Sequence, residues 1–142
     1  YDAHAGVLST LSSEGDLRDR IHAMLDAYFE FIEKNRQYAS LIQQEVARSG
    51  QHSPLIRKNL ANLFAQVEQA LREHLPEEGP LSPKHFFLTL SGMTISYFTY
   101  APVLGALWKE SPLSRKARAE RLSHMHWVVD CMLNGLETSN GA

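Results

Sequence analysis

The stretch PKHFFLTLSGMTISYF, residues 83–98, decides the fold that the sequence predicts. At about 100° per residue, a helix over these positions has two apolar faces roughly a third of a turn apart. Those faces are formed by Phe86, Leu90, Met93 and Tyr97 and by Phe87, Leu88, Ile95 and Phe98. The remaining strip holds only small or weakly polar residues, so the helix offers little surface suited to water. We therefore expect it to be buried on most sides.

A second long helix is predicted at the end of the chain, over residues 114–137, with Ser114 as its expected N-cap. Its apolar stripe, which includes one arginine, consists of Arg118, Leu122, Met125, Val129, Met132, Leu133 and Leu136. A short single-domain chain has difficulty burying helix 83–98 all round by itself, whereas a second copy packed against both helices would cover it. We therefore predict a homodimer, with interface residues Leu88, Gly92, Ile95, Leu122, Met125, Val129, Met132, Leu133 and Leu136.

The rest of the chain is also predicted to be helical, because no strand-like alternation of useful length is present. Helices are expected over 17–34, 37–49 and 54–75, with a truncated helix end over 1–12 and a short helical turn over 103–108 after Pro102. Asp16 is the expected N-cap of helix 17–34, whose polar side carries His22 and Asp26. Helix 37–49 is expected to turn its apolar residues inward, namely Tyr38, Leu41, Ile42 and Val46.

Length, composition and charge limit the class of protein. With 142 residues, 44% of them hydrophobic, the chain has the size and composition of one globular domain. No apolar run approaches the ~20 residues that a membrane span needs, and the N-terminus does not look like a signal peptide. The single cysteine, Cys131, excludes an internal disulfide and fits a reducing cytoplasm, where we expect the protein.

The charge pattern argues against direct nucleic-acid binding by this chain. A net charge of −2 provides no basic footprint. The one basic cluster, at the start of the last predicted helix, is expected to be a solvated helix face and not a binding patch. It consists of Arg115, Lys116, Arg118 and Arg121.

Neither a metal site nor a catalytic constellation is indicated, so we predict no metal, no cofactor and no enzymatic activity. His124 and His126 are two residues apart and point to different sides of a helix, whereas a helical metal pair needs a spacing of three or four. No nucleophile elbow, phosphate-binding glycine loop or inward carboxylate pair is present. Cys131 is expected to be a small buried apolar group.

Aromatic residues and Met93 crowd the region from 86 to 108 more than one small helical core needs, and this favours a ligand cavity. The candidate lining residues are Tyr28, Phe64, Phe87, Met93, Tyr97 and Trp108, with His85 or Glu45 as polar anchors. The plainer interpretation of the polar residues, His74 included, is a helix-edge or capping group in contact with water. Gly92 has a plain interpretation too, since it would allow two helices to approach closely.

Taken together, these features resemble the C-terminal regulatory domain of TetR/AcrR-type transcriptional regulators over nearly the whole chain. The resemblance is carried by order, spacing and ending and not by a rigid motif. The matching segments are helix 17–34 with YFEFI at 28–32 before Asn35, QEVA at 44–47, the long helix to Leu75, LSGM at 90–93 with Tyr97-Phe98, and the closing WVVDCMLNGL at 127–136.

The resemblance implies one all-α regulatory domain over residues 1–142, with about six to seven helices. Its last two long helices would form a four-helix bundle with those of a second copy. A mostly apolar effector bound in the core would lower the operator affinity of the full-length repressor. The family carries its helix-turn-helix head before this domain, so operator DNA would be a partner only through that head, and residues 1–12 would end the linking helix.

Two other classes of function stay open on the sequence alone. The first is a helical dimerisation or adaptor module with a filled core and no ligand. The second is a small helical enzyme, which the lack of an acid–base or nucleophile constellation disfavours. A haem- or metal-binding bundle is a weaker third alternative.

Overall fold

The computed structural model describes residues 6, 9, 10, 15–48 and 54–141, with only the backbone of 55, 56 and 139–141. This part of the chain forms five α-helices and contains no strand, which confirms the all-α class. The helices are α1 (Leu17–Lys34), α2 (Arg36–Ala47), α3 (Pro54–Leu71), α4 (Pro83–Trp108) and α5 (Arg115–Gly141). Six to seven helices are not confirmed. The predicted helix end over 1–12 falls outside the described residues, apart from 6, 9 and 10.

Local signals set the helix starts. The side chain of Asp16 accepts a hydrogen bond of 2.8 Å from the main-chain N–H of Asp19 at the start of α1. Ser114 Oγ accepts one of 3.1 Å from the N–H of Ala117 at the start of α5. Each oxygen satisfies a helix N–H that has no partner within the helix, so both predicted N-caps are confirmed.

Pro102 does not end α4, although the sequence analysis expected a break there. The helix continues through Pro102 to Trp108 and ends at Lys109, which adopts a left-handed conformation with φ 58°. A proline removes one helical hydrogen bond and crowds the preceding turn. Phe98 and Ala101 are both buried, so packing holds the turn before the proline in place.

One side of α4 is the centre of the fold. It packs against α1, α2 and α3, while α1 also packs against α2 and α5. Eleven large side chains have less than 2% of their surface exposed, and they come from α1, α3, α4 and α5: Ile21, Met24, Leu25, Ile32, Leu63, Val67, Leu71, Phe86, Phe87, Met125 and Val129. At ~25 cal/mol per Å² of apolar surface, burial of these side chains is the main stabilising contribution.

The last helix runs antiparallel to α1 and is joined to it by ion pairs at both ends. Arg18 Nη1 lies 2.5 Å from Asp130 Oδ1, and Arg18 Nη2 lies 3.3 Å from Glu137 Oε1. At the other end of α1, Glu33 pairs with Arg118. Early residues of α1 therefore meet late residues of α5, and late residues of α1 meet early residues of α5.

Two predicted orientations are wrong. In α2 the core side carries Ala39, Ile42 and Glu45, whereas Leu41 and Val46 are exposed. Positions 39, 42 and 45 are three apart and share one face, so the small Ala39 and not the larger Leu41 sets the side that packs. Cys131 is exposed and not buried, because it lies away from the α5 face that carries Val129 and Leu133.

Within the described residues, no helix combines the length and the apolar character required to cross a membrane.

The core predicts a clear contrast between two identical substitutions. Leu63→Ala removes a side chain that is 1% exposed, so unfolding should require about 2–5 kcal/mol less free energy. Leu41→Ala removes one that is 46% exposed and should change the free energy by no more than about 0.5 kcal/mol. Urea unfolding followed by circular dichroism measures both. Equal losses would mean that the side of α2 or α3 facing the core is misassigned.

Candidate functional site

Three of the candidate ligand-binding residues meet where α1, α3 and α4 pack together. The ring of Phe87 lies edge-on to Phe64, with centroids 4.9 Å apart, and edge-on to Tyr28 at 6.2 Å. Tyr28 and Phe87 are buried, and Phe64 is half-buried. The Tyr28 hydroxyl lies 3.1 Å from the Ser91 hydroxyl, which gives the apolar group one polar point. We call Tyr28, Phe64 and Phe87 the aromatic cluster.

A second group of candidates lies further along α4. Tyr97 is buried, and its ring centroid is 6.4 Å from that of the half-exposed Trp108. The Tyr97 hydroxyl donates a hydrogen bond to the main-chain carbonyl of Pro112. Arg121 approaches from α5, with its guanidinium carbon 5.6 Å from the Tyr97 ring centroid and Nη2 donating at 2.9 Å to the carbonyl of Met93.

The eight candidates do not line one common pocket. Phe87 and Tyr97 are ten residues apart, which is about 15 Å along a helix axis. His85 is exposed near the start of α4, whereas Glu45 is buried on α2. The structure thus brings together the aromatic cluster and, separately, Tyr97 with Trp108. His74 lies beyond the end of α3 and is exposed.

Open clefts occur elsewhere on the described surface. One of about 540 Å³ lies at the turn between α1 and α2 and is lined by Glu33, Lys34, Asn35, Arg36, Gln37, Tyr38 and Leu41. Another of about 490 Å³ follows Pro102 and is lined by Ala101, Pro102, Gly105, Glu110, Ser111, Pro112 and Leu113. Neither is lined by a candidate ligand-binding residue. A ligand in the aromatic cluster would have to separate side chains that now touch.

The predicted interface residues divide into two sets. Met125, Val129, Leu133 and Leu136 pack into the core of the single chain and leave little surface for a second copy. The others are exposed or half-buried: Leu88, Gly92, Ile95, Leu122 and Met132.

Large apolar side chains are exposed on the same two helices. They are Leu88, Tyr100, Val103, Leu107 and Trp108 on α4 and Trp127 on α5, and 48–69% of the surface of each residue is exposed to solvent. We call these six residues the exposed apolar surface. Four of the six, Tyr100, Val103, Leu107 and Trp108, lie within nine residues of α4, and exposed apolar patches of this kind mark candidate interfaces.

The sequence did not indicate the positions of several exposed apolar and basic residues on α4 and α5, for identifiable reasons. Val103 is fifteen residues, or about four turns, after Leu88 and continues its stripe, a phase that is visible only if Pro102 is not taken as a stop. Trp127 lies on the side of α5 opposite the predicted apolar stripe. Arg121 was grouped with a solvated basic cluster, yet it is half-buried and bonded to α4, and Arg118 is paired with Glu33.

Comparison of the chain with models of protein families, with curated proteins and with solved structures found no match. Within the described residues, no group of three or more His, Cys, Asp or Glu side chains is placed to hold a metal ion.

Burial changes the acid–base behaviour of the tyrosines around the candidate sites. It raises the pKa of Tyr28, although the hydrogen bond with Ser91 opposes this shift, and it raises the pKa of Tyr97. Burial also raises the pKa of Tyr38 to about 12, with a smaller contribution from Tyr28. Each of these phenols is therefore held neutral in the folded chain at pH values where an unfolded tyrosine ionises.

Tyr38 makes a testable contribution to alkaline stability. Its folded-state pKa of about 12 exceeds the unfolded value of about 10, so its contribution is complete below pH ~10 and is lost as the pH rises towards ~12. Tyr38→Phe should therefore make the free energy of unfolding fall less steeply across this interval. Urea titrations at successive pH values measure the slope. Phe31→Leu alters the same ring pair without removing a phenol and should keep the original slope; a change of slope there would refute the assignment to Tyr38.

Proposed function

We propose that this chain is the effector-binding and dimerisation domain of a TetR-type transcriptional repressor. Two copies associate through α4 and α5. A mostly apolar small molecule binds near the aromatic cluster and lowers the operator affinity of the full-length protein, whose helix-turn-helix head contacts the DNA. The observation that supports this proposal best is the exposed apolar surface.

The energetics of that surface support the proposed dimer. Leu88, Val103 and Trp127 are each about 60% exposed in the single chain. Their burial against a second copy would contribute roughly 25 cal/mol per Å² of apolar area, and tryptophan is among the residues that contribute most at protein interfaces. The two helices that carry these residues, with 26 and 27 residues, are the longest in the part of the chain that the structure describes, and four-helix bundles pack such helices side by side.

The proposed function predicts the oligomeric state. Leu88→Glu and Trp127→Glu each place a carboxylate in the proposed interface and should each weaken dimerisation by about tenfold or more. Sedimentation equilibrium over a range of concentrations measures the dissociation constant. The matched control is Val46→Glu, which introduces the same charge at a 68% exposed residue on α2 and should leave the constant unchanged. A monomeric parent chain, or equal effects of all three substitutions, would contradict the dimer.

The effector role is supported by the arrangement of the aromatic cluster. Three rings and the Tyr28–Ser91 hydroxyl pair lie where three helices meet, and Phe64 is only half-buried. A largely apolar site with one or two polar groups is the usual build of a small-molecule pocket. A ligand that binds one arrangement of α1, α3 and α4 better than another would shift the population between them by that difference in affinity.

The second prediction concerns the ligand. Among acyl-CoAs, fatty acids and aromatic drugs, at least one class should bind the purified chain saturably in isothermal titration. Phe64→Ala should weaken that binding by about tenfold, or ~1.4 kcal/mol, because it removes a ring from the site. Phe31→Ala removes a half-buried ring that pairs with Tyr38 outside the aromatic cluster and should change the affinity by less than about twofold.

A dimerisation or adaptor module without a ligand is the second candidate, and one observation favours it. Phe64, Phe87 and Tyr28 already fill the space between their helices by packing against one another. A chain that dimerises but binds no class of the ligand panel would support this function over the effector role. Equal loss of binding in Phe64→Ala and Phe31→Ala would place the ligand outside the aromatic cluster.

A further inference from the structure

A further cleft lies where the end of α3 meets the start of α4, and it shares no lining residue with the aromatic cluster. Its volume is about 210 Å³, and it is lined by Glu68, Arg72, Glu77, Ser82, Pro83 and Lys84. Arg72 directly follows the last residue of α3, and Ser82 directly precedes the first residue of α4. We call this space the α3–α4 cleft.

Ser82 stands at the N-cap position of α4 but does not cap the helix. Its main chain is extended, with φ −64° and ψ 154°, and its side chain makes no hydrogen bond to the first turn. The residue is 1% exposed, and its Oγ has no hydrogen-bond partner in the described part of the chain. Buried hydroxyls are usually paired, because desolvation without a partner costs free energy. A group bound in the α3–α4 cleft would provide the missing partner.

The first turn of α4 adds two main-chain donors next to this hydroxyl. Pro83 has no N–H, and the first hydrogen bond of the helix runs from the N–H of Phe86 to the carbonyl of Ser82 at 2.9 Å. The N–H groups of Lys84 and His85 therefore have no partner within the helix, and the serine that would normally accept from one of them does not. Free N–H groups and the helix dipole together favour a negative charge at this end of α4.

Charged side chains of both signs complete the lining. Arg72 and Lys84 provide two exposed cations, and Glu68 and Glu77 provide two carboxylates. Within the part of the chain that the structure describes, none of the four takes part in an ion pair. Glu68 also lies near the C-terminal end of α3, where the helix dipole favours a positive charge. The cleft thus offers donors on the α4 side and acceptors on the α3 side.

We propose that the α3–α4 cleft binds a small zwitterion of the free α-amino acid class. The ligand carboxylate lies at the start of α4 and accepts hydrogen bonds from Ser82 Oγ, from the free main-chain N–H groups and from Arg72. The ligand ammonium group donates to Glu68 and Glu77. The volume of about 210 Å³ is below the roughly 300–1,000 Å³ of pockets for drug-sized molecules, so the ligand is small.

The same charges disfavour other small anions. A phosphate dianion would gain the donors of α4, but its second negative charge would face the carboxylates of Glu68 and Glu77 without a compensating ammonium group. Acetate would use only the α4 side of the cleft, and methylamine only the carboxylates. This proposal depends neither on the dimer nor on a ligand in the aromatic cluster.

A titration of the purified chain with L-alanine, L-serine and L-glutamine tests the proposal, followed by the amide signals in nuclear magnetic resonance. At least one of the three should shift the Lys84 and His85 amide signals saturably, with an affinity about tenfold higher than that of acetate or methylamine. No saturable shift with any of the three would overturn the proposal. Acetate or phosphate binding at least as tightly as the amino acids would also overturn it.

Ser82→Ala and Ser114→Ala are a matched pair of variants. Ser82 Oγ has no partner, so its removal should leave the urea midpoint unchanged and weaken the binding of the amino acid by about tenfold. Ser114 Oγ caps α5, so its removal should lower the urea midpoint and leave the binding unchanged. A Ser82→Ala variant that loses as much stability as Ser114→Ala would show that the hydroxyl is an ordinary cap, and the proposal would be wrong.

Two charge variants separate the two ends of the ligand. Arg72→Gln should weaken both the amino acid and acetate by about fivefold, whereas Glu68→Gln should weaken the amino acid and leave acetate unchanged. The control is Arg57→Gln, which removes an exposed cation of α3 that does not line the cleft and should change neither affinity. Equal effects of Arg72→Gln and Arg57→Gln, or the same affinity of Glu68→Gln and the parent chain for the amino acid, would contradict the proposed orientation and overturn the site.

Discussion

The contact between α1 and α4 is the interaction on which the rest of the fold depends. Phe29 meets Phe98 at 5.1 Å between ring centroids, and Tyr28 meets Phe87, which lies about three turns earlier on α4. This contact fixes which side of α4 is buried. It thereby also fixes which side of α4 is left for other helices to contact. The helices α2 and α3 pack against α4 as well and complete the same core. On its other flank α1 carries α5, so the last helix is positioned mainly through α1.

Features set by neighbouring residues could be predicted from the sequence, whereas features set by contacts between helices could not. Caps such as Asp16 and Ser114 act within four residues and were predicted correctly. Helical periodicity also identified the apolar stripe from Met125 to Leu136, but not its partner: it was assigned to a dimer interface, whereas Met125, Val129, Leu133 and Leu136 pack into the core of the single chain. Periodicity failed for α2, since Leu41 and Ala39 are both plausible core positions and only the partner helix selects between them. Pro102 misled for a similar reason, because burial on α4 outweighs the local cost of a proline.

The candidate sites depend even more on contacts between helices, which the sequence alone does not give. The aromatic cluster was foreseen as a set of residue types, but its division from Tyr97 and Trp108 depends on distance along α4. The contact between His22 on α1 and His126 on α5 could not be foreseen, since the two residues are far apart in the sequence and share no helical spacing.

Pro102 has a mechanical consequence for the end of α4. The carbonyl of Phe98 loses its usual helical partner there, and a helix bends most readily where a hydrogen bond is missing. From Pro102 to Trp108 no residue is fully buried, although the side chains include Val103 and Leu107. Residues 102–108 therefore form a short helical segment that extends beyond the part of α4 packed in the core. A bend of about 10° at Pro102 moves Trp108, about 9 Å further along the axis, by about 1.5 Å. The chain can thus adjust the position of an apolar surface without disturbing the core that holds the rest of the helix.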